Sequence, residues 1–191
     1  MSGVIGLWFR ATDDVTTRQV LWEEGGRGRG LSIYVDQGFV YVNGWNLLND
    51  DMSATTPWGP RFVRTAINPN TFYHVALVFD QPAGEIRGLL DGTPFGKATA
   101  IGKLFAHPGD VNIGRVGDAT VFHDGDTSAN HFFKGLVDEV ELYNRALTAS
   151  EIQAIFNAGS SGEVKPTPYG QNIETHHFPG IYGLPLDHAS A

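Results

Sequence analysis

Apolar and polar positions alternate with a period of two through most of the chain. Ile5, Leu7, Phe9 and Ala11 alternate with Gly6, Trp8 and Arg10. That spacing puts successive side chains on opposite faces of an extended strand. Residues 19–23 form a second predicted strand. The runs 31–36 and 39–43 flank Gln37-Gly38 and predict a hairpin. Another run, 61–67, follows a break rich in Gly and Pro. Residues 72–80 and 85–90 are separated by the turn Gln81-Pro82-Ala83-Gly84, and Asp91-Gly92 turns the chain again. A short run at 111–114 and a long one at 132–143 complete the set. In 136–143 one face carries Leu136, Asp138, Val140 and Leu142; the other carries Val137, Glu139, Glu141 and Tyr143. Asp138 therefore falls on the row expected to be core, where a carboxylate needs a hydrogen-bonding, cationic or metal partner.

The period changes once. Thr148-Ala149-Ser150-Glu151 fits a capping box, and Ile152, Ile155 and Phe156 then repeat at helical spacing. The spacing predicts a helix over 148–157, with Gly159 placed to end it in a left-handed cap. Many short strands with turn signals between them indicate an all-β sandwich or barrel. Two loops are long, 44–60 and 115–131, and long loops in small domains commonly carry function. After Gly159 the text turns rich in Gly and Pro, so residues 160–191 are expected to be an extension or linker packed along a domain formed by 1–159.

GLVDEVELYNRALTASEIQAIFNAG, residues 135–159, resembles the C-terminal signature of the laminin-G-like (concanavalin A-like lectin/glucanase) jelly rolls. Phe72-Tyr73-His74-Val75-Ala76-Leu77-Val78-Phe79-Asp80 is similar to the family's aromatic-H-V-A strand, and Leu89-Leu90-Asp91-Gly92 to its x-V-D-G hairpin. The resemblance covers roughly residues 3–159. It implies a two-sheet antiparallel jelly-roll β-sandwich with one short C-terminal helix, and a tendency to bind sugars or extracellular partners. Related jelly rolls hold calcium at the sandwich rim. Family members also begin with an extra strand upstream of the Trp8 strand, and only Met1, Ser2 and Gly3 precede it here. An unfilled edge slot is thus expected, which the segment 172–178 could occupy.

Charge narrows the partners. The net charge is −8, so most of the surface repels phosphate backbones and nucleic acid is excluded as a partner. The one basic run, Gly26-Arg27-Gly28-Arg29-Gly30, is flanked by Glu23 and Glu24 and reads as a hairpin loop. The chain has no cysteine, which removes thiol catalysis, zinc–thiolate sites and disulfides. No apolar run is long enough to insert across a membrane. The opening residues do not read as a signal peptide. The chain is expected to be a piece of a longer secreted or cell-surface protein.

Candidate chemistry is sparse. Asp118, Asp124 and Asp126, with Asn130 and the turn glycine Gly125, form an acidic loop that is either solvated or a calcium site, with Asp138 as a fourth metal candidate. Structurally, Asp138 could instead accept hydrogen bonds or pair with Arg145 or another arginine and so pin the last strand. Trp45 and Trp58 fall in the first long loop beside Asn46, Asn49 and Asp50, with Tyr41 on the preceding hairpin and Arg61 just beyond. Flat rings stack on sugars and polar side chains bond the hydroxyls; the same tryptophans could equally anchor the loop. Glu139 and Glu141 share a sheet face as a candidate carboxylate pair for glycoside hydrolysis, but the leading glutamate of the family's catalytic strand is missing. His176-His177 in the tail would point apart on an extended chain. No nucleophile elbow and no phosphate-binding loop occurs.

The sequence therefore predicts a non-catalytic carbohydrate-binding or adhesion module, extracellular or at the cell surface, with calcium as the candidate cofactor. Carbohydrate or an extracellular protein is the expected partner. A glycan-active hydrolase or lyase on the same fold, or a structural protein-interaction domain, is the alternative.

Overall fold

The computed structural model describes residues 2–48, 57–106, 109–117 and 119–162, the last three of these by backbone alone. In chain order the described elements are β1 (Ser2–Ala11), β2 (Gln19–Gly25), β3 (Arg29–Asp36), β4 (Phe39–Asn46), β5 (Trp58–Ala66), β6 (Tyr73–Asp80), β7 (Glu85–Leu90), β8 (Thr93–Thr99), β9 (Val111–Ile113), β10 (Gly135–Tyr143) and α1 (Ala149–Gly162). They form two antiparallel five-stranded sheets, ordered β10-β1-β6-β7-β8 and β5-β4-β3-β2-β9. β5 lies over β7 and β8, and β4 over β6 and β7, so the sheets stack face to face. Between them lie Leu7, Phe9, Leu21, Trp22, Ile33, Val35, Val42, Leu77, Phe79 and Ile86, all buried. The expected two-sheet sandwich with one short helix is the structure found.

Two bulges decide which side chains reach the core. β2 shifts register between Val20 and Trp22, which turns Leu21 and Trp22 both inward. β10 shifts opposite Leu7: Trp8 pairs with Asp138, but Gly6 pairs with Glu141. Glu139 takes a φ of 47° there. Before the bulge Val137 faces the core; after it Val140 does. The strict alternation expected over 136–143 is therefore broken in the middle. Asp138 is exposed, not buried, and its Oδ1 accepts the N–H of Glu139 at 2.9 Å. No arginine or metal is needed to hold it.

The β3–β4 hairpin turns on Gln37 and Gly38, with φ values of 51° and 83°. Two positive φ values in a two-residue loop are the type I′ geometry, which matches the strand twist. Nothing lies within 4 Å of a Cβ placed on Gly38, so its role is backbone freedom alone.

The helix begins as the sequence predicts. Thr148 Oγ1 accepts from Glu151 N at 3.3 Å, and Glu151 Oε2 accepts from Thr148 N at 2.8 Å. It does not end as predicted: α1 runs through Gly159 to Gly162. Its apolar stripe covers the outer face of the β10-β1-β6-β7-β8 sheet. Ile152 and Leu147 bury against Val4, Ala76, Val78 and Leu89. Phe156 stacks on Trp8 at 5.4 Å. Trp8 is thus a packing residue beneath the helix. The segment 172–178, proposed above for an open edge, lies outside the described residues.

Candidate functional site

The outer face of the second sheet is built from two rows in register across four strands. One is Val20, Tyr34, Tyr41 and Arg64; the other is Glu23, Ser32, Asn43 and Phe62. The loop between β9 and β10 folds down over the centre of this face, and its polar groups find partners there. Glu23, fully buried, accepts from Asn112 Nδ2 at 2.9 Å, Gly117 N at 2.8 Å and Thr120 Oγ1 at 3.4 Å. Asn43 Nδ2 donates to Val121 O at 2.8 Å. Tyr34 OH accepts from His123 N at 3.1 Å. Each bond satisfies a polar group that burial would otherwise leave costly.

Arg18 ties the loop to the sheet. Its Nη2 lies 2.7 Å from both Asp36 Oδ2 and Asp124 Oδ2, and its Nη1 lies 3.0 Å from Asp126 Oδ2. The guanidinium also covers the Phe122 ring at 4.4 Å. The Arg18 bond holds the Asp124 carboxyl down at about 2. Asp126 lies below the usual carboxylate range, first through the Ser128 hydroxyl. Burial lowers His123 and His131.

Toward β5 the face opens. Tyr34 and Tyr41 stack at 4.8 Å and 6°, and His123 stacks on Tyr41 at 4.5 Å. Phe62 meets His123 edge-on at 5.3 Å. Arg64 Nη1 donates to Tyr41 OH at 2.7 Å, and its guanidinium lies 4.3 Å over Phe39. Phe39, Phe62 and His123 are partly exposed and Arg64 is exposed. The result is a preset rim of ring faces with a fixed cationic donor.

The residues expected to bind sugar lie elsewhere, apart from the Tyr41 hydroxyl. Trp45 and Asn46 belong to β4 and Trp58 to β5, because both strands run further into the loop than the glycines and proline suggest. Trp45, Asn46 and Tyr41 are fully buried, and Trp58 is 4% exposed. Trp45 Nε1 donates to Gly26 O at 2.9 Å; Trp58 Nε1 and Asn46 Nδ2 donate to Lys103 O at 3.1 and 3.0 Å. The Trp45 ring lies over Gly30, where a Cβ would come within 2.7 Å of it. These side chains anchor the sandwich end and present no ring face to a ligand. Arg61 is exposed on β5. Asn49, Asp50 and Asp118 lie outside the described residues.

The metal candidates are not brought together. Asp124 and Asp126 sit over one sheet, and Asp138 lies on β10 of the other. Among the described residues no group of three or more His, Asp or Glu is placed to hold a metal ion. The cation between Asp36, Asp124 and Asp126 is a guanidinium, so this donor set does not fit calcium. No local sequence signal marks Arg18, Asp36, Phe62 or Arg64 as site residues, and His123 is marked only as a neighbour of the acidic loop. Arg18 precedes its acidic partner loop by over a hundred residues, and no local pattern marks such a pair.

A family model described as the concanavalin A-like lectin/glucanases superfamily matches residues 5–153. No curated protein matches the chain. Solved structures do. A heptameric pentraxin from Limulus polyphemus is 16% identical with a TM-score of 0.57, over 81% of this chain and 69% of that one. The binding domain of botulinum neurotoxin serotype G is 8% identical with a TM-score of 0.61, over 84% of this chain and 37% of that one. A structure of botulinum neurotoxin type C, whose cell entry depends on interaction with two ganglioside molecules, is 11% identical with a TM-score of 0.55, over 82% of this chain and 35% of that one. The chain thus spans well under half of the two toxin chains. At these identities the likeness is one of fold.

Proposed function

Because the chain belongs to the concanavalin A-like lectin/glucanases superfamily, we propose that it is a non-catalytic carbohydrate-binding module of a secreted or cell-surface protein, with its sugar contacts on the β5 rim. The observation that carries this reading is the preset cluster of Phe62, His123, Phe39 and Arg64 on an otherwise covered sheet face. A sugar ring presents a C–H face to Phe62 or His123, and its hydroxyls accept from Arg64. Tyr41 and Phe39 already hold that guanidinium, so binding costs little further ordering. The ganglioside-dependent type C toxin, similar in fold, supports the same class of partner. The hydrolase alternative draws no comparable support: Glu141 accepts the Tyr143 hydroxyl at 2.9 Å, and Glu139 sits at the β10 bulge. A calcium-assisted form would need Arg18 to release Asp124 and Asp126.

A glycan array probed with the full chain, in calcium and again in chelator, tests the reading. Binding in both conditions is expected. Phe62→Ala and Arg64→Ala should each weaken it about tenfold, the size of one lost stacking or charge-assisted contact. Binding that ignores both substitutions sinks the rim assignment. Binding lost only in chelator moves the site to a metal. Turnover of a bound glycan, abolished by Glu139→Gln or Glu141→Gln, favours the hydrolase. Absence of all binding favours a protein-interaction domain.

A further inference from the structure

Three exposed apolar side chains lie along one seam. Val111 and Ile113 on β9 are each 53% exposed, and Leu142 on β10 is 64% exposed. All three face inward. Ile113 pairs with Trp22 and Leu142 with Ile5, and both partners are core residues. Cross-strand partners share a face of the sheet. β9 and β10 are edge strands of the two sheets, and no described strand lies beyond them. At one end the seam is closed, where Phe133 N donates to Gly114 O at 2.8 Å and the Phe133 ring packs on the core. At the other end it opens into a cavity of about 400 Å³ between the sheets.

Ile5, Leu31 and Phe79, all core residues, form the inner walls of this cavity, and Leu142 stands at its mouth. Among the described residues one charged residue lines it: Glu24. Glu23 and Glu24 are neighbours that point to opposite sides of β2. Glu23 holds the loop on the outer face; Glu24 pairs across the strands with Leu31 and Val111, on the inner face. No hydrogen bond or ion pair reaches the Glu24 carboxyl among the described residues. Burial, then the neighbouring Glu23, raises its proton affinity above the ordinary value. A carboxylate in such a place gains from any cation brought to it.

We propose that this cavity binds a small amphiphile: an apolar ring or short chain packed on Ile5, Leu31, Phe79 and Leu142, with one ammonium group on the Glu24 carboxylate. The volume falls in the range of small-molecule sites, and an apolar wall with one placed polar group is their usual composition. The charge argument sets the sign. With one acid and no base among the lining residues, a cationic head is favoured over a neutral or anionic one. Five strands frame the cavity, so the site is preformed. It lies on the opposite side of the second sheet from the β5 rim and does not depend on the sugar reading.

The test is a titration of the full chain, followed by amide NMR, with 4-phenylbutylammonium and with the matched alcohol 4-phenylbutan-1-ol. Saturable shifts centred on Ile5, Leu31 and Leu142 are expected. The ammonium should bind about tenfold more tightly, as a charge-assisted bond replaces a neutral one. Glu24→Gln, nearly isosteric, should erase that ratio and leave the alcohol unchanged. Leu142→Ala, at an exposed mouth position, should weaken both probes roughly threefold through lost apolar contact. Phe62→Ala should alter neither, which separates this site from the sugar face. The proposal is overturned if neither probe saturates these amides, or if the ratio survives Glu24→Gln. Binding that emerges only once residues 163–191 are removed overturns it in favour of that segment as the occupant.

Discussion

Arg18 is the residue on which the loop over the second sheet depends. Its side chain is 11% exposed and that of Asp36 is 6% exposed. Removing the cation leaves Asp36 buried without its counter-charge. Arg18→Met should therefore cost about 3 kcal/mol, read as a lower denaturant midpoint. Arg18→Lys should recover only part, because one ammonium cannot reach three carboxylates as the planar fork does. A variant as stable as the parent would remove Arg18 from this role. Acid should act on the same residues. Asp124 and Asp126 are held below the ordinary 3.8, so the stability they add is present above that value and is lost as pH falls below it, for Asp124 down through about 2. His123 and His131 are held below the ordinary 6.5, so the unfolded chain takes up their protons first and stability already falls as pH drops below 6.5. Hydrogen exchange at Ser128 and His123, corrected for intrinsic rate, should speed up in both windows. Protection independent of pH would count against the ion-pair account.

At the scale of elements, local chemistry and packing contribute separately. The Gln37-Gly38 turn has type I′ geometry with an exposed glutamine at the position that favours asparagine. Gln37→Asn should raise stability by roughly 0.5 kcal/mol, seen as a higher midpoint with an unchanged denaturant slope. No gain would mean that the turn is set by the strands and not by its own residues. The hairpins, the capping box and most strands were legible in sequence because their signals are local. The ends of β4 and β5 were not. Gly44, Gly59 and Pro60 read as a break, yet a Cβ on Gly44 would lie 2.7 Å from both Ile86 and Leu31. That glycine marks close packing within the strand, and this is why Trp45 and Trp58 were expected in a loop and are found buried. The β10 bulge was equally hidden. It depends on pairing with β1, and it moved Asp138 from core to surface.

At the scale of the molecule, the first strand pairs with the last: Val4 lies opposite Tyr143. The β10-β1-β6-β7-β8 sheet cannot close until nearly the whole described chain is present. Contacts this distant in sequence slow folding, so refolding should take milliseconds to seconds, as for other sandwiches. Stopped-flow tryptophan fluorescence would show it; a microsecond phase carrying the full amplitude would contradict it. The same topology leaves β9 and β10 as neighbouring edges and so creates the seam and its cavity. The β5 rim has a similar origin. Its residues come from β4, β5 and the loop before β10, segments that the chain places far apart.

By itself the sequence determined the fold class, the family, the strand count to within one and the helix start. Each of these rests on periodicity, on a contiguous motif or on composition, which need no knowledge of distant neighbours. Only the tertiary structure decided which polar residues meet. Glu23 and Glu24 are adjacent and chemically identical, yet one is spent on holding a loop and the other faces an open cavity. Asp124 and Asp126, candidate metal ligands by sequence, pair with Arg18. Register, bulges and edge position set those outcomes, and they are properties of how strands pair across the whole chain.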